Sequence, residues 1–161
     1  MPIALATMPH NIRYTGLDVA CPLISAHKMQ FAERRNWDFF CVDVAHQSLP
    51  PNRDLIFSRD ALQHLPFEYI FSFLSQVKAS RARYLLVGSY VLSERPNMDI
   101  RIGDYFDINL LKPPFSVSPE PLMVINEETA DGKHMLLFDV AAMQWGTPPM
   151  EGAAAPDTVT K

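Results

Sequence analysis

The pattern of apolar and polar residues predicts strands that alternate with helices over most of the chain. Short runs of apolar, aromatic and β-branched residues are typical of strands, whereas apolar residues three or four positions apart are typical of helices. The predicted strands are residues 12–18, 37–43, 54–58, 84–92, 121–126 and 134–140. Because helices lie between the earlier strands, we expect right-handed crossovers and a largely parallel sheet, as in an α/β fold.

Two helices are predicted between these strands. The first covers residues 22–35, where Pro22 suits the first position of a helix. The second begins after Pro66 and carries one apolar stripe, formed by Phe67, Ile70, Phe73, Leu74 and Val77. A basic cluster at residues 78–83 follows this stripe. We interpret the cluster as the end of the helix rather than as a phosphate-binding groove, since cations stabilise a helix C-terminus.

The segments after residue 92 are less regular. An Asp131-Gly132 turn between the last two predicted strands indicates an antiparallel hairpin. Residues 93–120 form a long connection without a clear period. Its segment GDYFDINLLKPPF, residues 103–115, is either a lid or substrate wall that includes Tyr105, or a strap that covers the sheet.

The 161 residues fit one domain, which we expect at residues 1–146, followed by a disordered tail rich in proline and alanine at 147–161. The chain contains six glycines, and the closest pair, Gly146 and Gly152, is six positions apart. A G-x-G-x-x-G turn and a P-loop both need several glycines within a few residues. Any bound nucleotide must therefore be held without a complete glycine-rich phosphate loop.

Charge and cysteine content exclude several further classes of protein. The net charge of −4 gives no long-range attraction to nucleic acid or to anionic membranes. Cys21 and Cys41 are too few for a disulfide framework or a four-cysteine zinc site, and we interpret them as free, small apolar side chains. No signal peptide or membrane-spanning run is evident, so we expect a cytoplasmic protein.

Two acid-tipped strands and the segment after them carry a resemblance to a known family. The strands end in aspartate within YTGLDV at 14–19 and FFCVDV at 39–44, and DLIFSRDALQHL follows at 54–65. With the hairpin sequences PLMVINEE at 121–128 and HMLLFDV at 134–140, this order resembles the class I S-adenosylmethionine-dependent methyltransferases. The resemblance implies a Rossmann-like three-layer fold, with a mostly parallel sheet and a C-terminal antiparallel hairpin.

The resemblance also implies S-adenosyl-L-methionine as the cofactor, bound at the carboxyl ends of the strands as in open α/β sheets generally. Asp18 takes the position whose carboxylate accepts hydrogen bonds from the ribose hydroxyls. Asp43 takes the position that meets the adenine amino group, and Val44 contacts the ring. Ser58 and Arg59 lie where cofactor and substrate meet. On the residues alone, either aspartate can instead cap a turn, and Arg59 can instead pair with a neighbouring aspartate.

His64 is the candidate acid–base residue, because an imidazole with a pKa of ~6.5 can accept a proton from a nucleophilic substrate. Its alternative role is to pack and hydrogen-bond where the loop enters the second helix. Asp60, a second catalytic candidate, and Gln63, a candidate substrate contact, can instead serve only to satisfy this loop. Tyr105 is a further candidate substrate contact. The histidines share no metal-ligand spacing, so no metal site is expected.

One part of the family pattern is missing. The family begins with a strand and a glycine-rich turn, and that strand lies between those predicted here at 12–18 and 54–58. Only 11 residues precede the first predicted strand, whereas a βαβ unit takes about 30. We therefore expect a partial methyltransferase domain, truncated before its first strand and glycine turn.

Three hypotheses about function remain. The first is a methyltransferase of unidentified acceptor whose complete form is active. The second is a non-catalytic interaction protein, in which a partner chain covers the incomplete sheet. The third is a different α/β enzyme such as a hydrolase, although the sequence has no G-x-S-x-G nucleophile turn.

Overall fold

The computed structural model describes residues 11–129 and 132–149, whose contacts group them into two compact units within residues 1–48 and 49–161. A single domain is expected at 1–146, and the division falls inside that range. Asp131 of the predicted turn and residues 150–161 of the predicted tail lie outside the described residues.

The first unit is a strand–helix–strand crossover. Strand β1 spans Tyr14–Asp18, helix α1 spans Cys21–Gln30 and strand β2 spans Trp37–Cys41. The two strands pair in parallel, and their last residues, Asp18 and Cys41, lie side by side. A parallel pair needs a long connection, and α1 supplies it.

Aromatic side chains form most of the core of this unit. The ring of Tyr14 packs against a cluster of buried residues, which consists of Ile24, Phe31, Trp37 and Phe39. Gly16 in β1 faces this cluster, and a Cβ at that position would lie 2.7 Å from Cδ1 of Phe39. The strand therefore needs glycine there for close packing.

Helix α1 ends five residues before its predicted end at residue 35. Phe31 is buried in the aromatic core, and the chain turns after it through two backbone hydrogen bonds. The amide of Arg34 donates to the carbonyl of Phe31 at 2.9 Å, and the amide of Trp37 donates to that of Arg34 at 3.0 Å. These turns lead the chain directly into β2.

Cys21 and Cys41 form a disulfide bond, so the expectation that both are free side chains is wrong. Cys21 begins α1 and Cys41 ends β2. The parallel register of β1 and β2 brings these two positions to one edge of the sheet. A separation of 20 residues in the sequence gave no sign of this proximity, because it arises only from strand pairing.

The second unit is a four-stranded sheet with one long helix. Its elements are β3 (Leu55–Ser58), a 3₁₀ turn (Leu62–His64), α2 (Phe67–Ser80), β4 (Tyr84–Ser89), β5 (Met123–Asn126) and β6 (His134–Asp139). The strand order is β3-β4-β6-β5, in which β3 and β4 are parallel and β6 is antiparallel to both of its neighbours. The predicted C-terminal hairpin of β5 and β6 is confirmed, and the fold is α/β.

Helix α2 follows Pro66 as predicted and buries its apolar stripe. It ends at Ser80, and Arg81 adopts a left-handed conformation with φ of 55°. The interpretation of residues 78–83 as a helix end is thus confirmed. The Nζ of Lys78 in the last turn donates to carbonyl oxygens beyond β6, which belong to Val140, Ala141 and Met143.

The long connection between β4 and β5 packs on α2. Its buried apolar side chains are Phe106, Ile108, Leu110, Phe115 and Val117. The ring of Phe115 lies 5.1 Å from that of Phe67 and 5.2 Å from that of Phe71. The side chain of Asn97 also binds the backbone of Asn109 through both its amide nitrogen and its oxygen, each at 2.8 Å. Residues 106–115 are therefore a strap over α2.

The sheet of the second unit has one buried and one partly exposed set of side chains. In β4, Leu85 and Val87 are fully buried, whereas Leu86 between them is half-buried. Leu86 continues a row across the sheet, formed by Phe57, Leu86, Leu137 and Met123. Phe57 and Met123 at its two ends are about half exposed. Among the described residues, no helix is long and apolar enough to cross a membrane.

Candidate functional site

In the first unit, Asp18 is a half-buried residue at the carboxyl end of β1. Its Oδ1 accepts a hydrogen bond from the amide of Ala20 at 2.8 Å, which closes the turn into α1. Among residues 11–129 and 132–149, no second donor is found for this carboxylate. Asp18 thus caps a turn and keeps free acceptor positions at the strand end.

Asp43 lies just beyond β2 at the same edge, because the amide of Val42 donates to the carbonyl of Asp18 at 2.9 Å. Its Oδ1 accepts from the amide of Ala45 at 2.9 Å, and its Oδ2 lies 2.7 Å from Nδ1 of His46. The hydrogen bond with His46 lowers the pKa of Asp43. This carboxylate therefore stays ionised, and both of its oxygens already hold the turn.

Val44 lies inside this turn and is half-buried. The turn is fixed from both ends, since the amide of Asp43 donates to Oε1 of Gln47 at 2.9 Å while the amide of Gln47 donates to the carbonyl of Asp43 at 2.9 Å. The structure thus brings Asp18, Asp43 and Val44 to one edge of the two-stranded sheet, beside the disulfide bond.

In the second unit, β3 ends at Ser58, and charged residues follow it. Ser58 is half-buried. The guanidinium of Arg59 donates through Nε to Oε1 of Glu127 at 2.7 Å, and its Nη1 lies 3.1 Å from Oδ2 of Asp60. The hydrogen bond to Glu127 raises the pKa of Arg59. Arg59 is thus paired with two acidic side chains.

Asp60 and Glu127 share a second cation, Lys133. Its Nζ forms an ion pair with Oδ1 of Asp60 and lies 3.2 Å from Oε2 of Glu127. Burial raises the pKa of Asp60, but the hydrogen bond and charge of Lys133, with the charge of Arg59, outweigh it, so the pKa is lowered. Burial lowers the pKa of Lys133, and its bonds to the two carboxylates outweigh this and raise it.

Sequence reasoning missed Glu127 and Lys133. They are separated from Asp60 by more than 60 positions in the chain, and no local motif links them. The antiparallel pairing of β4 and β6 places His134 opposite Ser89, at the end of the sheet where β3 also finishes. Only this pairing brings the residues before β6 to the loop after β3.

Gln63 and His64 lie in the 3₁₀ turn after this loop. Gln63 is buried, and its Nε2 donates to Oδ1 of Asp60 at 3.4 Å. His64 is exposed, and its Nδ1 lies 3.0 Å from the carbonyl oxygen of Asp104. Since a carbonyl can only accept, Nδ1 carries the proton, and in the neutral ring Nε2 keeps its lone pair.

Tyr105 lies beside His64, with 5.6 Å between the two ring centroids. Its hydroxyl donates to Oδ1 of Asp107 at 3.0 Å, and its ring meets that of Tyr90 edge to face at 6.3 Å. Burial, together with the hydrogen bonds to Tyr90 and Asp107, raises the pKa of Tyr105 well above its ordinary value, so its hydroxyl stays protonated.

A shallow groove adjoins Tyr105. It has a volume of about 170 Å³ and is lined by Arg95, Pro96, Met98, Tyr105, Phe106 and Asp107. Most of these side chains offer apolar surface, and Arg95 and Asp107 supply charges at 3.8 Å from each other. The structure therefore brings His64 and Tyr105 together next to a small groove.

Comparisons with known proteins identify the fold. No family model and no curated protein sequence matches the chain. Solved methyltransferase structures do match it. Against the S-adenosylmethionine-dependent methyltransferase SibL in its apo form, the TM-score is 0.61 at 14% identity, over 86% of this chain and 46% of SibL.

Two further structures agree. The N-methyltransferase NodS from Bradyrhizobium japonicum WM9 matches with a TM-score of 0.54 at 16% identity, over 79% of this chain and 72% of NodS. The methyltransferase domain of a bacterial Hen1 protein matches with a TM-score of 0.55 at 14% identity, over 85% of this chain and 83% of that domain. NodS has also been solved in complex with S-adenosyl-L-homocysteine.

These similarities establish the fold. The chain spans about half the length of SibL, and every identity quoted is far below the level at which function transfers. The predicted Rossmann-like fold of the class I methyltransferases is thus confirmed.

Proposed function

We propose that this chain, which has the fold of the class I methyltransferases, binds S-adenosyl-L-methionine and takes part in methyl transfer to an acceptor. The observation that carries the proposal is Asp18, a half-buried residue that places a carboxylate at the carboxyl end of a parallel strand in that fold. Ligands of open α/β sheets bind outside the carboxyl ends of the strands.

The residues present in the first unit fit the adenosine part of this cofactor. One acceptor position of the Asp18 carboxylate binds the amide of Ala20, so the carboxylate retains positions for two neighbouring ribose hydroxyls. Val44 offers apolar surface to an adenine ring. Asp43 remains ionised beside it, and an adenine amino group would share its oxygens with Ala45 and His46.

In the second unit, we assign proton transfer to His64. The carbonyl of Asp104 fixes the ring with Nδ1 protonated, so that exposed Nε2 can take a proton from a hydroxyl or amine acceptor. Tyr105 and the groove beside it supply the surface on which the acceptor is oriented. When bound, the sulfonium of the cofactor supplies an activated methyl group, so these residues need mainly to orient and deprotonate the acceptor.

Calorimetric titration of the chain with S-adenosylhomocysteine tests the cofactor assignment. We expect binding by the unmodified protein and about 10- to 100-fold weaker binding by Asp18→Asn, since charge-assisted hydrogen bonds contribute roughly 1.5–3 kcal/mol. Asparagine keeps an oxygen that can accept from Ala20, so the turn is preserved. Asp38→Asn is the matched control, because Asp38 is an exposed acid within β2 rather than at its end.

Equal weakening by the two variants would refute the role of Asp18. No binding by the unmodified protein would refute the proposed function and favour the alternative of a non-catalytic interaction protein.

A further inference from the structure

Lys133, directly before β6, is a buried charged residue whose side chain contacts the loop after β3. Only 7% of its side chain is exposed. Lysine is almost never buried to this extent unless it is paired. Its backbone is fixed as well, because its amide donates to Oγ1 of Thr129 at 3.0 Å and its carbonyl accepts from the amide of Glu127 at 3.2 Å. Lys133 is therefore a firmly held cation at the end of the sheet.

The partners of Lys133 form a closed ring of alternating charge. Lys133 contacts Asp60 and Glu127, and Arg59 contacts the same two carboxylates. Two cations and two anions leave no net charge. Glu127, at 14% side-chain exposure, is half-buried, while Arg59 and Asp60 belong to the loop. The ring thus joins one buried and one half-buried residue next to the hairpin strands to an exposed pair on the loop.

Asp60 is also the residue at which the loop changes direction. Its φ of 58° is left-handed, a conformation that is uncommon outside glycine but that aspartate tolerates better than most residues. The ion pair with Lys133 holds the side chain of Asp60 at this turn. From Asp60 the chain enters the 3₁₀ turn, and Gln63 in that turn donates to Oδ1 of Asp60.

The 3₁₀ turn is joined in turn to the segment that carries Tyr105. The amide of Phe106 donates to the carbonyl of Gln63 at 3.1 Å, and the amide of Gly103 donates to the carbonyl of His64 at 3.3 Å. We propose that Lys133 is a positioning residue, whose ion pairs with Asp60 and Glu127 hold the loop at 58–64 so that His64 faces Tyr105. The role of His64 in proton transfer, on which this inference rests, belongs to the proposed function.

The first test is a titration of the full chain followed by the carboxyl ¹³C resonance of Asp60. In Lys133→Met we expect the pKa of Asp60 to rise by about one unit or more, since an opposite charge within contact distance lowers a carboxyl pKa by roughly 1–3 units. Lys78→Met is the control, because the hydrogen bonds of the Lys78 side chain within the described part of the chain go to backbone carbonyls, and its loss weakens packing without touching Asp60. Lys133→Arg keeps the charge and should leave Asp60 close to its original pKa.

The second test is amide hydrogen exchange at Phe106 and Gly103, whose amides bind the 3₁₀ turn. We expect exchange about tenfold faster in Lys133→Met than in Lys78→Met, relative to the amides of β4 in each protein. Asp60→Asn, which removes the ion pair while keeping the shape, should accelerate the same two amides and serves if Lys133→Met does not fold.

An unchanged titration of Asp60 in Lys133→Met would overturn the inference. Equal exchange in Lys133→Met and Lys78→Met would overturn it as well. Neither measurement uses cofactor, so a failure to bind S-adenosylhomocysteine refutes the proposed function separately.

Discussion

Phe115 offers the sharpest test of the strap over α2. Its side chain is fully buried, and its ring packs on Phe67 at 5.1 Å and Phe71 at 5.2 Å. Truncation to alanine removes the buried ring and leaves a cavity, which costs about 3–5 kcal/mol in protein cores. The two ring pairs account for roughly 0.5–1.5 kcal/mol each of that loss. Since whole domains are stable by only about 5–15 kcal/mol, Phe115→Ala should leave the second unit barely folded.

Urea unfolding followed by the fluorescence of Trp145, in a Trp37→Phe background, measures this loss in the second unit. With a slope of about 2 kcal/mol per molar urea, the midpoint should fall by roughly 2 M. Leu111→Ala is the matched control in the same strap, because Leu111 is 37% exposed, and its change should cost about 1 kcal/mol or less. Similar midpoints for the two variants would refute the packed strap and favour the alternative of a lid or substrate wall.

Three further predictions concern other parts of the chain. Gly146→Ala should destabilise the second unit strongly, because the added Cβ would lie 2.2 Å from the backbone oxygen of Pro114. Gly88→Ala is the control, since its Cβ would make an ordinary contact with the sulfur of Met135 at 3.8 Å. Thermal denaturation compares the midpoints of the two variants. Reduction of the Cys21–Cys41 bond should cost the first unit about 3 kcal/mol by the entropy of its 20-residue loop, and mass spectrometry of unreduced protein after thiol alkylation should show no adduct. The folded-state pKa of Asp60 is lowered, so the contribution of Asp60 to stability is complete above about pH 4 and is lost as the pH falls through that folded-state pKa. In acid unfolding, the Asp60→Asn variant should therefore lose stability less steeply with falling pH than the unmodified protein.

The elements with a strong local signal were predictable from the sequence. Helix α2 begins directly after Pro66, as predicted, because its apolar stripe has a clear helical period and proline suits the position before it. The final hairpin follows from two apolar runs around a turn. The end of α1 was predicted five residues too late, since nothing local shows that Phe31 must turn into an aromatic core.

The positions of candidate site residues were predictable only where the immediately adjacent sequence determines them. Asp18 ends β1 and Asp43 lies just beyond β2, because each follows its own apolar run. The disulfide bond depends instead on the parallel register of two strands, and the ion pairs of Lys133 depend on the antiparallel register of β4 and β6. Such contacts between distant segments leave no local trace in a single sequence.

The central claim is that the edge formed by β1 and β2 holds the adenosine part of the cofactor. The most direct test is a titration with S-adenosylhomocysteine, followed by the amide resonances of the chain. We expect saturable shifts that are largest at Asp18, Asp43 and Val44. The absence of shifts at these three amides at saturating ligand would contradict it.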